Sequence, residues 1–240
     1  MTDPMVAVGQ RLHEVLGRRR LAVDWDAPDE HFDEHFGGKR ILITGAGGSI
    51  GTALAELLAR FSPASLTLLD LHENSLFQLR QRLDVAYPGA LLRYVLADVR
   101  NARRIGHVLA EARPDVIFHL AAYKHVPLAE ELPAEFAAVN VLGTWRLLQE
   151  ARRAGVAKMV LPSTDKGVNT TSVYGATKRS VELMFQAAAR SCPELQLTVV
   201  RLVNVLGAQG GVIETFARQI AAGQPVTITD RRMTRYWITM

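Results

Sequence analysis

Tyr174 and Lys178 stand four residues apart at the start of an amphipathic stretch, so on a helix the phenol and the ammonium share one face. A free tyrosine titrates near pH 10, roughly, and is a poor base at neutral pH, but a neighbouring cation favours its phenolate. Such a pair suits the removal of a hydroxyl proton.

A second set of residues lies far upstream, in GKRILITGAGGSIG. Gly45, Gly48 and Gly51 recur at three-residue spacing after the apolar run Ile41-Leu42-Ile43, and Ser49 to Phe61 has helical periodicity. A strand, a glycine turn and a helix bring backbone N–H groups and the positive end of a helix dipole to one point, where a pyrophosphate can sit. Side chains at these glycines would block the turn, the phosphate or the helix–strand contact. Ser49 and Ile50 open the helix and belong to the same binding turn. The strand Leu66-Thr67-Leu68-Leu69 ends in Asp70, nineteen residues beyond Gly51. A carboxylate there accepts the ribose hydroxyls of a dinucleotide and repels a 2′-phosphate, which favours NAD over NADP. With NAD⁺ bound, its positive nicotinamide would add to the effect of Lys178 on Tyr174.

These residues need a frame. From Lys39 on, apolar strands near 41–44, 66–69, 92–97, 116–121, 158–162 and 196–203 alternate with helical stretches near 49–61, 73–86, 101–112, 133–154 and 174–190. Such alternation makes an α/β fold with a parallel sheet covered on both faces, and right-handed crossovers give the doubly wound, Rossmann order 3-2-1-4-5-6. Ligands bind beyond the carboxyl ends of strands in such sheets. Asp70, Asp98, Ala121 to Lys124, Ser163 to Lys166 and Asn204 all fall there.

Composition narrows the class. The 240 residues, 48% hydrophobic and 22% charged, fit a globular enzyme, and the net charge of +4 is modest. Arg18-Arg19-Arg20 is too short, and too poor in interleaved aromatics, to argue nucleic-acid binding. Cys192 is the single cysteine, which excludes disulfide frameworks and cysteine zinc sites. No apolar stretch reaches the length of a membrane span and no signal-peptide core is present, so the cytoplasm is the expected compartment. Residues 1–38 read as an arm: Val6 to Leu16 as a short helix, Asp24 to Gly38 as a solvated linker. His31 and His35 lie among Asp29, Glu30, Asp33 and Glu34, yet nothing apolar supports a rigid metal geometry there, and no metal is expected.

The motifs GAGGSIG, FHLAAYKHVP, VNVLGT, STDK, YGATKR, NVLG and MTRYW, in this order, resemble the extended short-chain dehydrogenase/reductase superfamily. More narrowly, they resemble the CapD-like nucleotide-sugar 4,6-dehydratases of polysaccharide biosynthesis. The resemblance runs from about Lys39 to the last residue. It implies action on UDP-N-acetylglucosamine, with or without C5 inversion, and tightly held NAD⁺ recycled in each turnover. It also implies that Thr164 contacts the substrate C4 oxygen, that Asp165 is the acid and Lys166 the base for water loss, and that Tyr174 and Lys178 serve both chemistry and cofactor. Asp98 and Val99 would lie against the adenine, Ala121 and Ala122 would line the cofactor channel, and Lys124, His125 and Asn204 would meet the substrate. Asn140 would brace the loop after the fifth strand.

The expected division is an arm at 1–38, an NAD-binding domain at 39–206 and the start of a substrate-binding region at 207–240. Two departures from the family pattern stand out. Val203 puts a branched side chain where the family has glycine, and the chain stops at Met240 within a motif that relatives continue, so the substrate-binding part reads as truncated. Two other readings remain: a UDP-sugar 4-epimerase, against which Asp165-Lys166 argues, and a catalytically silent NAD-binding fragment. The expected partner is a UDP-sugar, with homo-oligomerisation left open.

Overall fold

The computed structural model describes Phe32 and residues 35–239. The expected Val6–Leu16 helix, the Arg18-Arg19-Arg20 run and most of the acidic stretch around His31 lie outside the described residues.

Short β-branched and leucine-rich runs form six strands: β1 (Arg40–Thr44), β2 (Ser65–Asp70), β3 (Leu92–Leu96), β4 (Val116–His119), β5 (Lys158–Thr164) and β6 (Gln196–Leu202). They form one parallel sheet in the order β3-β2-β1-β4-β5-β6, the doubly wound order read from the sequence. The connecting helices are α1 (Ser49–Ala59), α2 (Glu73–Ala86), α3 (Ala102–Ala112), α4 (Val126–Glu131), α5 (Pro133–Phe136), α6 (Thr144–Arg153) and α7 (Val173–Ser191).

Strand alternation divides the core in two. Ile41, Ile43, Leu66, Leu68 and Phe118 point to one face and pack with Ala55 and Leu58 of α1 and Leu76, Leu79 and Leu83 of α2. Leu42, Ile117, Met159 and Leu161 point to the other, against Ile105 and Leu109 of α3, Leu147 and Leu148 of α6 and Val181 and Phe185 of α7. Both faces being covered explains why these strands read as continuous apolar runs.

Three local expectations change. The stretch 133–154 is not one α-helix: Pro133 restarts the chain after α4, and Ala137–Gly143 is π-helical before α6 begins. β4 ends at His119, and 120–125 form a loop. The solvated linker does not extend to Gly38, because Phe32 and Phe36 pack with the core: their ring centroids lie 4.2 Å from Phe61 and 5.7 Å from Phe118 respectively. Two aromatic side chains outweigh the polarity of the residues between them.

From Val203 the chain forms a separate small unit. Within it β7 (Asn204–Val205) and β8 (Trp237–Ile238) pair in parallel around α8 (Val212–Ala221) in sequence.

A polar ladder crosses the large core. His119, fully buried, is hydrogen-bonded through Nδ1 to Thr44 Oγ1 at 2.7 Å and through Nε2 to Thr144 Oγ1 at 2.8 Å. The Thr144 hydroxyl donates to the Asn140 carbonyl at 2.6 Å, so it accepts from the ring, and the proton sits on Nε2. Burial, reinforced by the Lys178 charge, pushes the His119 pKa down to about 3, which keeps the ring neutral. Replacing Thr144 with the isosteric valine leaves the buried Nε2–H without its acceptor. We expect Thr144→Val to cost about 1–3 kcal/mol in urea unfolding, and an unchanged midpoint would refute the ladder.

Candidate active site

The three glycines after β1 meet three different needs. Gly45 has φ +71°, and a Cβ there would lie 2.6 Å from the Ala121 backbone nitrogen. Only glycine allows the turn and the close passage of the loop after β4. A Cβ on Gly51 would lie 2.2 Å from the Gly45 carbonyl oxygen, so Gly51 lets α1 pack onto the turn. At Gly48 the nearest atom to a Cβ is 3.4 Å away, an ordinary contact. The fold tolerates a side chain there, and the open space lies at the N-terminus of α1. Gly48 is the N-cap and has no side chain to bond the first-turn amides, whereas His72, Asn101 and Ser172 cap α2, α3 and α7. Ser49 and Ile50 carry the first of those amides. This is a cradle that a Cβ would fill, and a diphosphate fits its chemistry.

At the end of β2, Asp70 accepts from the Gly47 N–H at 2.8 Å and from the His72 N–H at 2.8 Å. Both bonds fix the carboxylate beside the glycine turn and leave acceptor capacity for ribose hydroxyls. Asp98, beyond β3, is held by the Arg100 backbone N–H and guanidinium, each at 2.8 Å. Val99 next to it is buried, and a Cβ on Gly143 would lie 3.1 Å from its methyl group.

The residues expected to do acid–base chemistry gather at the end of β5. Thr164 donates to Asp165 Oδ1 at 3.0 Å, Lys166 Nζ donates to the same oxygen at 3.1 Å, and a single 3₁₀ turn spans Asp165–Gly167. α7 starts beside this turn. A Cβ on Gly175 would lie 2.5 Å from the Lys166 carbonyl oxygen, so the glycine after Tyr174 is what lets the helix come this close. Tyr174 and Thr164 are hydrogen-bonded, and Lys178 follows one turn later, only 6% exposed. Thr164, Asp165, Lys166, Tyr174 and Lys178 therefore form one cluster.

Its protonation states differ from the simplest reading of the sequence. Burial pushes the Tyr174 phenol above its ordinary range; the Thr164 hydrogen bond opposes this and the Asp165 charge adds to it. The ammonium alone does not bring the phenol into the neutral range. Burial lowers Lys178 to about 8, against the upward pull of Glu182. For Asp165, burial opposes ionisation, but hydrogen bonds from Lys166 and Thr164 outweigh it and hold the carboxyl below its usual value. Asp165 and Lys166 thus form an ion pair rather than a neutral acid beside a neutral base.

The surrounding loops are tied to this cluster. Asn140 accepts from the Tyr123 N–H at 2.8 Å and donates to the Tyr123 carbonyl and Thr177 Oγ1, each at 3.0 Å. It braces the loop after β4 and the Tyr174 helix, not the loop after β5 as expected. That loop carries Ala121, Ala122, Lys124 and His125 into α4, where Glu130 accepts from the Val173 N–H at 2.8 Å and so docks α4 on the start of α7. Asn204 belongs to the separate unit, where its Nδ2 donates to the Tyr236 carbonyl at 3.0 Å. Sequence reasoning passed over Glu130, His119, Gly175 and Glu182. Only Glu182 had a local signal: an acid four residues past Lys178 on the buried stripe of α7.

The glycines separate binding from folding. Gly51→Ala is expected to destabilise the fold by about 1–3 kcal/mol, the usual cost of overpacking. Gly48→Ala should leave thermal stability within error and weaken dinucleotide binding at least about tenfold, since the new methyl occupies the cradle. Calorimetric titration beside thermal melts checks both, and a Gly48→Ala protein that binds normally would overturn the assignment.

The description "Polysaccharide biosynthesis protein" matches residues 41–240 as a family. The capsular polysaccharide biosynthesis protein CapD of Staphylococcus aureus is 39% identical over 231 residues, covering 95% of this chain and 38% of CapD. An inverting UDP-N-acetylglucosamine 4,6-dehydratase of Campylobacter jejuni is 35% identical over 209 residues, 85% of this chain and 61% of the enzyme. UDP-glucose 4-epimerases also match, one from Rickettsia canadensis at 35% identity over 85% of this chain and 60% of its own. Among solved structures, a double mutant of the dTDP-glucose 4,6-dehydratase DesIV of Streptomyces venezuelae, with NAD bound, superposes with TM-score 0.74 at 27% identity, over 83% of this chain and 67% of that one. The chain thus spans between two and three fifths of the length of these curated relatives. Among the described residues no helix is long and apolar enough to cross a membrane. On the family match, the sheet order and these relatives together, the chain belongs to the polysaccharide biosynthesis protein family, in the CapD-like group of the extended short-chain dehydrogenase/reductases.

Proposed function

We propose that this chain carries the NAD-binding and acid–base machinery of a nucleotide-sugar 4,6-dehydratase acting on UDP-N-acetylglucosamine in polysaccharide biosynthesis. The observation that carries this reading is the Asp165–Lys166 pair held against the Tyr174 helix. Oxidising and re-reducing one carbon, as an epimerase does, needs a hydroxyl and a tyrosine. Losing water needs a further acid and base, and the Asp165–Lys166 pair supports this reading because its two side chains could supply both.

Gly45, Gly48, Ser49, Ile50, Gly51 and Asp70 would hold NAD, with Asp98 and Val99 at the adenine and Ala121 and Ala122 along the channel. When bound, the nicotinamide would supply a hydride acceptor for C4 and a hydride donor for C6. Tyr174, oriented through Thr164, takes the C4 hydroxyl proton as the ketone forms. The ketone acidifies the C5–H bond. Lys166 then removes the C5 proton, and Asp165 protonates the departing C6 hydroxyl, which leaves as water. This leaves a 4-keto-5,6-ene; hydride addition at C6 and return of a proton from Lys166 to C5 then give a 4-keto-6-deoxy sugar. The ion pair holds the right number of protons for this, one proton transfer from the neutral base and neutral acid the step needs. Lys124 and His125 are the proposed substrate contacts of the larger unit, and Asn204 that of the smaller one.

The matching UDP-glucose 4-epimerases support a second reading, C4 inversion without loss of water. The product separates the two. Turnover of UDP-N-acetylglucosamine in D₂O should give a 4-keto-6-deoxy sugar with one solvent deuterium at C5 and no net NADH. A product that keeps its C6 hydroxyl and is inverted at C4 would establish the epimerase instead.

Two variants separate the steps. Tyr174→Phe should slow the first oxidation by about 10²–10⁴-fold, the typical contribution of a positioned base, and no reduced cofactor should build up. Lys166→Met should still oxidise C4 and then stall, with reduced cofactor accumulating in a single-turnover absorbance trace. If both stall before reduction, Lys166 positions the substrate and is not the elimination base.

A further inference from the structure

Glu182 is a buried, ionised side chain near the cluster that the chemistry above does not use. It is 2% exposed, yet its carboxylate is fully engaged. The Ser163 hydroxyl donates to Oε1 at 2.6 Å, Arg201 donates through Nε at 2.9 Å and Nη2 at 2.7 Å, and Arg179 donates at 2.9 Å. Three elements meet there: β5 through Ser163, β6 through Arg201 and α7 itself. The turn carrying Asp165 and Lys166 closes over it, since a Cβ on Gly167 would lie 3.4 Å from Oε1.

The burial is uneven. The Arg179 and Arg201 side chains are 38% and 44% exposed, whereas that of Glu182 is 3% exposed. Both cations stay in contact with water and the anion is sealed beneath them. Apolar residues of similar volume often replace buried ion pairs without loss of stability, so packing alone gives no reason for a carboxylate here. Its place in the helix gives one. Glu182 lies one turn beyond Lys178, whose ammonium is itself buried.

We infer that Glu182 is a positioning residue of the site: clamped by Ser163, Arg179 and Arg201, its carboxylate is the fixed counter-charge that keeps the buried Lys178 cationic beside Tyr174. The inference rests on the reading of Tyr174 and Lys178 as the proton-transfer pair. The charged and titratable groups facing Glu182 are Arg179 and Lys178 on its own helix and Arg201 from β6; Lys178 also faces His119 from β4, which is neutral. The electrostatics agree. The hydrogen bonds from Arg201, then those from Ser163 and Arg179, outweigh burial and bring Glu182 down to about 2, so it is ionised throughout the neutral range. Of the influences on Lys178, burial lowers it and the Glu182 charge raises it. The arginines keep the glutamate charged, and the glutamate keeps the lysine charged.

The test reads Lys178 directly and needs neither cofactor nor turnover. In protein carrying isotope-labelled lysine, the Lys178 side-chain resonance is assigned with a Lys178→Met variant and followed against pH by NMR. In Glu182→Gln, which preserves shape and removes charge, the midpoint should fall from about 8 by about one unit, the usual effect of losing an adjacent opposite charge. Glu182→Asp, which keeps the charge, should hold it closer to the original. An unmoved midpoint in a folded Gln variant, or equal shifts in both variants, overturns the inference. If Glu182→Gln does not fold, Glu182→Met, an apolar side chain of similar length, decides: the Lys178 midpoint should again fall, and an unmoved midpoint would overturn the proposal. These outcomes do not depend on which sugar is bound or whether water is lost, so they stand apart from the dehydratase test.

Discussion

The site depends on how closely α7 approaches the turn after β5. Both elements are fixed elsewhere, β5 by its pairing with β6 up to Thr164 and Leu202, α7 by Val181 and Phe185 in the core. What remains adjustable is the gap between them, and Gly175 closes it to backbone contact distance. Tyr174 is thereby placed beside Thr164 and the turn carrying Asp165 and Lys166, at the cost of a rigid junction. Ser172 at the N-cap and Glu130 on the first amide complete that junction, so the helix start is held from its own chain and from α4.

Where the sheet opens matters as much. β4 and β5 pair only as far as Phe118 and Val160, while β5 continues to Thr164 beside β6. The two strands separate below the Asp165–Gly167 turn, and the strand order reverses between β1 and β4. A crevice at such a reversal is the usual ligand position in doubly wound sheets. Here the glycine turn flanks it on one side and the Ala121–Lys124 loop on the other, in contact at Gly45. Burial does the electrostatic work inside it. It lifts the phenol and depresses the ammonium, so partners set the charges, and distance in sequence says little about them.

Much of this frame was legible in residue order. Period-two apolar runs and amphipathic stretches are local signals, and they sufficed for strand order because right-handed crossovers leave few alternatives. The glycine turn, Asp70 and the Tyr174–Lys178 spacing were legible for the same reason: each is contained within one strand–helix unit. What escaped were contacts between units. His119 reads as one polar residue in an apolar strand, and nothing near it names Thr44 or Thr144 as its partners. Gly175 reads as a poor helix former until the Lys166 carbonyl is seen against it. Asn140 was recognised as turned inward, but its target was misread, because the loop after β4 and the loop after β5 are equally remote in sequence. Phe32 and Phe36 were hidden by acidic neighbours, an averaging that composition imposes and packing does not.

The polar ladder through His119 also bears on how the chain reaches this sheet. Thr44 and His119 face each other in the pairing of β1 with β4. Slide β4 by one residue and the imidazole turns to the opposite side of the sheet, into the cluster built from Ile43, Leu68 and Phe118, while Thr44 loses its partner. The apolar residues would forgive such a slip, since leucine, isoleucine and phenylalanine alternate on both faces. The histidine would not. One buried ring, bonded on both edges, thus favours one alignment of the central strands over its one-residue neighbours.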